Sequence, residues 1–347
     1  MIDLRRPSPF IELAAVEAWD AWFRWRDRSG LRDFSIEDTW RRVAGALATV
    51  EPLGERDALR ARCTDALAAW RLLPDERLLA DAGTGRNGWH TGTLHAALNA
   101  AAFVSTDRTV AAVIDLAGMA DCAALAVRVL DNAALLAGNP TPQVRVGILG
   151  IADALALLGL PYDSDAGRAR AAAMARALAE GCLRGSVQLA ATRGTNVQAS
   201  HAYIARARSR GIPPGLLRMA TRHGLRHLPL AAIVPQPRLA LLANDVADAA
   251  DPLRGGDHAC AVAAADGLRS LRSPGYALNI LRANDECRDG APQTLADLPW
   301  TAQTAMRAAL QPWLDEPIDY PLLGLHPPDA APHHSAARSR HGSPKRS

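Results

Sequence analysis

Apolar residues recur at helical spacing through much of this chain, and a few short apolar runs interrupt that rhythm. Ile11, Ala15, Ala18, Trp22 and Trp25 share one helical face, and Gly30 ends the segment. Ser35 followed by Asp38 has the form of a capping box. Beyond it Ile36, Trp40, Val43, Leu47 and Val50 form a second stripe, broken by Pro52 and Gly54. A third runs through Leu59, Cys63, Ala66, Trp70 and Leu73 to Pro74. Three helices over the first 80 residues are therefore predicted. Six of the eight tryptophans lie before residue 90, which predicts a helical N-terminal domain (1–80) with its own aromatic core.

Next comes the glycine-rich stretch Gly83-Thr84-Gly85-Arg86-Asn87-Gly88, then apolar runs at Phe103-Val104 and Val110 to Leu116. The helical period returns through Met119, Cys122, Ala126, Val129, Ala133 and Leu136, and Gly138, Pro140 and Pro142 stop it. A short apolar run, Val144 to Leu149, precedes a helix from about Ile151 to Leu158. Asp163 to Arg193 reads as a long alanine-rich helix, capped by Asp163, Ser164 and Asp165 and stopped by Gly194. Gly181 and Gly185 each cost about 1 kcal/mol relative to alanine inside it, which predicts close packing of another backbone there. Residues 229–243 read as a strand, the Pro235-Gln236-Pro237 loop and a second apolar segment. Residues 251–298 read as mostly irregular, Thr301 to Asp315 as a last helix, and the region after about Leu325 as a disordered tail.

Composition narrows the function classes. Half of the 347 residues are apolar and 22% are charged, ordinary for a globular protein. No run reaches the length of a membrane span. The opening MIDLRRPSPF has no apolar segment after its charges, so no secretory signal is expected and the cytoplasm is the expected compartment. A formal charge of +3 argues against a nucleic-acid partner, and the one visible basic cluster is Arg338, Arg340, Lys345 and Arg346 in the tail. The cysteines, Cys63, Cys122, Cys182, Cys260 and Cys287, show no C-x-x-C spacing, so neither a zinc site nor a vicinal redox pair is signalled. The first three fall on apolar helix faces and read as buried thiols. His90 and His95 lack helical ligand spacing, and Asp245, Asp248 and Asp251 read as a solvated acidic turn.

Several segments, in order, resemble the large chain of ribonucleotide reductase, closest to its adenosylcobalamin-dependent class. Ile36 to Ala44 is similar to the family's N-terminal helical region. PDERLLADAGT, Pro74 to Thr84, is similar to P-G-G-R-I-L-A-x-A-G-T. LDNAALLAGNPTPQVRVGILGIADALALLGLPYDS, Leu130 to Ser164, resembles the stretch L-D-N-V-I-D…R-I-G-L-G-x-x-G-L-A-D-A-L…L-G-L-x-Y-x-S. Ala231 to Pro252 is similar to the loop A-P-T-G-T-I-S together with the family's x-S-S-G-I-E-P segment. MRAALQPWLDEPI, Met306 to Ile318, resembles M-Q-A-A-L-Q-x-x-x-D-x-A-I. The resemblance implies an α/β barrel on a helical base, reduction of ribonucleotides to 2′-deoxyribonucleotides, and adenosylcobalamin as cofactor.

The implied chemistry needs sulfur: one cysteine for the thiyl radical and a pair to deliver electrons by closing a disulfide. Here the family's C-N-L-G-S falls at Thr93 and His95-Ala96-Ala97, and no cysteine occurs between Cys63 and Cys122. The bridge from Thr84 to Phe103 is also too short for the missing barrel strands. A helix-rich α/β fold is therefore expected, with the helical N-terminal domain followed by a truncated barrel over 81–325 and the tail over 326–347. The adenosylcobalamin surface is left open by the deletion. Where the family's P-T-G-T meets phosphate this chain has Pro235-Gln236-Pro237-Arg238, so the substrate-binding candidates are Gly83, Thr84, Pro235 and Arg238, with no catalytic residue or metal ligand assigned. The expected protein is a non-catalytic reductase relative that binds a nucleotide, a full-length reductase chain or a second copy of itself. The alternatives are a ribonucleoside-diphosphate reductase drawing thiols from Cys260 or Cys287, and a remnant without selected function.

Overall fold

The computed structural model describes residues 9–105, 112–139, 143–284 and 292–324. The three N-terminal stripes become α1 (Leu13–Trp22), α2 (Ile36–Ala48) and α3 (Leu53–Ala68), with a small hairpin, β1 (Arg26–Asp27) and β2 (Gly30–Leu31), after the first. The Ser35–Asp38 capping box is present at the start of α2. Trp40 meets Trp70 edge-on at 5.3 Å between ring centroids, and Phe10 meets Trp70 at 5.6 Å. The largest buried cluster takes in residues from Trp19 to Leu314.

Then come β3 (Leu72–Pro74), α4 (Glu76–Asp81), β4 (Leu94–Asn99), α5 (Leu116–Leu136), β5 (Val144–Leu149), α6 (Ile151–Leu157) and α7 (Asp165–Arg193). β4 pairs antiparallel with β3 and parallel with β5, α5 being the crossover that a parallel pair requires. A parallel bridge from Val146 to Ala231 extends the sheet beyond β5. β3, β4 and β5 are buried along nearly their whole length, so they read as continuous apolar runs without alternation. The chain is mixed α/β and helix-rich.

α5 and α7 cross at the two glycines. A Cβ on Gly181 would lie 2.1 Å from the Ala120 carbonyl oxygen, and one on Gly185 would lie 2.9 Å from that of Ala124. The close approach expected from those helix-interior glycines is present. Gly150, at φ +67°, turns the chain from β5 into α6 where a Cβ would meet Asn99 Oδ1 at 2.6 Å.

Two regions differ from expectation. Residues 251–298 are not irregular: they hold the hairpin β6 (His258–Ala264) and β7 (Gly267–Ser273), then α11 (Tyr276–Ala283). Alanine on both faces of β6 hides its alternation from a hydrophobicity pattern. The apolar segment after Pro235 is the short helix α10 (Pro237–Leu242), and the strand expected before it is reduced to the bridge at Ala231. Pro237 sits at the first helical position, where its missing N–H costs nothing.

Between α7 and α10 lie α8 (His201–Ser209) and α9 (Pro214–His223), packed on Leu183 and Val187 of α7. The last helix is α12 (Trp300–Leu310), continued by a 3₁₀ turn to Trp313. Among the described residues no helix is long and apolar enough to cross a membrane. The expected tail, Cys287 and Pro140 to Pro142 lie outside the described residues.

Candidate functional site

Two adjoining cavities meet at Arg238. The first, of about 510 Å³, lies between the start of α4, the start of β4 and the 235–238 loop. It brings Pro235 and Arg238 to Thr93 and His95, two of the positions at which the resemblance places the family's C-N-L-G-S. The Arg238 guanidinium is half exposed, lies 5.0 Å from the Trp22 ring centroid and reaches Glu76 Oε2 at 3.5 Å. Arg77 is committed elsewhere: it grips Asp75 and donates to the carbonyls of Thr91 and Thr93. Burial pushes His95 below its usual pKa, so its imidazole is biased to the neutral form.

The loop presents little backbone to an anion. Pro235 and Pro237 have no N–H, and the Gln236 N–H donates to Asp248 Oδ1 at 2.8 Å. Gly83 and Thr84 do not join this site. Gly83 packs on Arg42 with φ +78°, and the Thr84 hydroxyl donates to the Asp81 carbonyl at 2.7 Å, finishing α4.

The second cavity, of about 450 Å³, lies between α10, the 245–254 turn and the β6–β7 hairpin. Asp245, Asp248 and Asp251 all line it, so the acidic turn is not a solvated surface feature. Burial pushes Asp248 up to about 6, against the hydrogen bond from Gln236. Burial also raises Asp251, although Arg307 lies 3.6 Å away. The turn is held rigidly. Fully buried Asp153 accepts from the N–H groups of Ala247 (2.6 Å) and Ala277 (3.0 Å). Tyr162 donates to the Ala250 carbonyl at 2.7 Å, and the Ala250 N–H donates to Tyr320 Oη at 2.9 Å. Asn244 and Asp245 both have positive φ, +66° and +60°, an uncommon conformation that tends to accompany function.

His258 and Cys260 stand two residues apart on β6, so their side chains share the more buried strand face, while Ala259 and Ala261 on the other face are exposed; all four line the cavity. His258 Nε2 lies 2.9 Å from Asp245 Oδ2, and the Cys260 thiol points at the same oxygen from 3.7 Å. Burial pushes the Cys260 thiol up to about 12, aided by Asp245, so it is a thiol and not a thiolate at neutral pH. Cys63, Cys122 and Cys182 are buried within helices of the core. Among the described cysteines Cys260 is thus the one that faces this cavity. Its strand carried no apolar stripe and no C-x-x-C spacing; the H-x-C pair on one strand face was the signal available.

A mixed α/β chain with a mixed sheet at its core and paired cavities beside the loop after Ala231 defines the class. Residues 95–254 match the family model described as ribonucleotide reductase, barrel domain. That stretch runs from β4 to the aspartate turn and so includes walls of both cavities. It supports a relationship to the large chains of ribonucleotide reductase. No curated protein matches the chain.

Proposed function

We propose that this chain is a ribonucleotide reductase-like protein that does not carry out thiyl-radical reduction and instead binds a nucleotide, with a full-length reductase chain or a second copy of itself as its natural partner. One observation carries the reading. Radical reduction needs a radical thiol and a reducing pair, and the described cavity wall offers the single thiol of Cys260, protonated against Asp245.

The residues do not fit adenosylcobalamin chemistry. Its contribution would be to generate a thiyl radical. No second described cysteine stands beside Cys260 to be oxidised, and a corrin with its nucleotide tail is far larger than a 450 Å³ cavity. A mononucleotide is of the right size for either cavity. Arg238 is the group suited to a phosphate, because its exposed contact with Glu76 is weak and easily exchanged.

The test is equilibrium titration with ribonucleoside di- and triphosphates, beside a reductase assay supplied with adenosylcobalamin and a dithiol. Saturable binding, weakened about tenfold or more by Arg238→Ala, and no deoxyribonucleotide product are expected. Deoxyribonucleotide formation that is abolished by Cys260→Ala or Cys287→Ala would establish the catalytic alternative. Absence of nucleotide binding would remove the nucleotide half of the proposal and leave the partner half to co-purification.

A further inference from the structure

The second cavity holds an arrangement that nucleotide binding does not use. Side-chain donor atoms of Asp245, His258 and Cys260 all lie within 4.8 Å of one another. From this geometry we infer that the three residues bind a zinc-type divalent cation, with a fourth coordination position open to the cavity.

The chemistry of the donors selects the metal. A tetrahedral zinc holds nitrogen, oxygen and sulfur at about 2.0–2.3 Å, which sets donors about 3.3–3.8 Å apart. The Asp245–Cys260 separation of 3.7 Å lies within that range, and the Asp245–His258 separation of 2.9 Å is somewhat shorter than it. Imidazole, carboxylate and thiolate together suit zinc and its borderline neighbours, and the sulfur disfavours magnesium or calcium.

The site is built rather than incidental. His258 and Cys260 are fixed by seven-residue strand pairing, His258 opposite Ser273 and Cys260 opposite Leu271. The Asp245 backbone is pinned at both ends, its N–H donating to the Leu241 carbonyl and its carbonyl accepting from Tyr276. Ser273, buried opposite His258 on β7, stands beside the Asp245 carboxyl, where an outer partner of a metal ligand would be.

A second observation points to a missing ligand. Both ring nitrogens of His258 are shielded from solvent with no hydrogen-bond partner. Nε2 is close to Asp245 Oδ2 but off the line that a hydrogen bond needs. His258 Nε2 and the Cys260 sulfur converge on one carboxylate oxygen, Asp245 Oδ2, as the atoms of a ligand set converge. Further carboxyl groups stand close by: Asp248 and Asp251 line the same cavity. Three protein ligands with one position facing open space is the pattern of zinc sites that hold a water or a substrate group.

The probe is Co²⁺, titrated into the full-length protein and then displaced with Zn²⁺. One Co²⁺ per chain is expected, with tetrahedral d–d bands and a sulfur-to-cobalt charge-transfer band. Cys260→Ala should abolish the charge-transfer band. His258→Ala and Asp245→Asn should weaken binding by more than the roughly 10–100-fold that loss of an outer-shell partner costs, and Ser273→Ala by about tenfold. Cys287→Ala should leave the spectrum unchanged. A spectrum without the sulfur band, as octahedral binding to tail histidines would give, overturns the inference, as does a sulfur band that survives Cys260→Ala. Should a variant fail to fold, the wild-type chain still decides: Zn²⁺ must protect Cys260 from alkylation at least tenfold, read by peptide mass, and no protection overturns the site. Nucleotide binding through Arg238 is a separate readout, so either result can fail alone.

Discussion

Glu51 is the residue whose removal tests how the N-terminal helices are joined to the rest of the chain. Its side chain is 1% exposed. It accepts from Arg128 at 2.8 and 2.6 Å, from Asn132 at 2.9 Å and from Arg193 at 2.7 Å, so it ties the end of α2 to α5 and α7. Burial alone would raise its pKa, yet the hydrogen bonds from Arg128, Asn132 and Arg193 outweigh it and take the carboxyl from 4.5 to about 2. At about 1.4 kcal/mol per tenfold change in proton affinity, that is worth roughly 3 kcal/mol at neutral pH. Breaking a buried pair by removing one partner costs about 3–5 kcal/mol, so the two routes agree. Because the folded-state value is depressed, the contribution is complete above the unfolded value near 4.5 and is lost as pH falls toward 2.

The perturbation is Glu51→Gln, and the assay is urea unfolding followed by the fluorescence of buried Trp40 and half-buried Trp70. At pH 7 the variant should be destabilised by roughly 3 kcal/mol, a large part of the about 5–15 kcal/mol available to a typical domain. The difference between wild type and variant should shrink steadily below about pH 4.5 and be nearly gone by about pH 2. Asp131, whose carboxyl burial would raise but His227, Arg193 and Arg226 hold far below its usual value, shares Arg193 with Glu51, so Asp131→Asn and the double variant are measured beside Glu51→Gln to separate the two. A penalty that stays constant from pH 7 to pH 3 would refute the reasoning.

Other expectations rest on single contacts. Gly181→Ala should gain about 1 kcal/mol of helix propensity yet lose overall by about 1–3 kcal/mol, because its Cβ would sit 2.1 Å from the Ala120 carbonyl; a rise in Tm would show that α5 and α7 do not cross there. Asp153 is raised by burial from 3.8 to about 6 despite two backbone hydrogen bonds. The folded state therefore holds its proton more tightly than the unfolded state, and lowering pH from 7 through 6 toward 4 should stabilise the wild type by roughly 3 kcal/mol relative to Asp153→Asn. A stability difference between those two proteins that is flat over that range would contradict the assignment. In a Cys287→Ala background, Cys63, Cys122 and Cys182 should react with a thiol reagent only on unfolding, and Cys260 slowly through the cavity; fast native labelling of the first three would place them at the surface.

Much of the helical framework was legible in the sequence because each helix there buries one apolar stripe or carries explicit end signals. Ser35 with Asp38, Ser164 and Gly194 mark ends that the structure honours to within a few residues. Gly181 and Gly185 announced a close crossing without naming the partner, since helix propensity is local and the identity of Ala120 and Ala124 opposite is not. The order of reductase-like segments, centred on Leu130 to Ser164, likewise sits in the sequence, and that central segment falls within the matched residues 95–254.

Tertiary structure alone decided the site. Alanine packs equally on both faces of a strand, so the periodicity of β6 was silent, and with it the fact that His258 and Cys260 share a face. Asp245, Asp248 and Asp251 carry the same charge pattern whether solvated or buried. They line a cavity because Asp153, Tyr162 and Tyr320, distant in sequence, hold the backbone of that turn. Local spacing fixes what a segment prefers; which charges and thiols converge depends on long-range packing that buries them together.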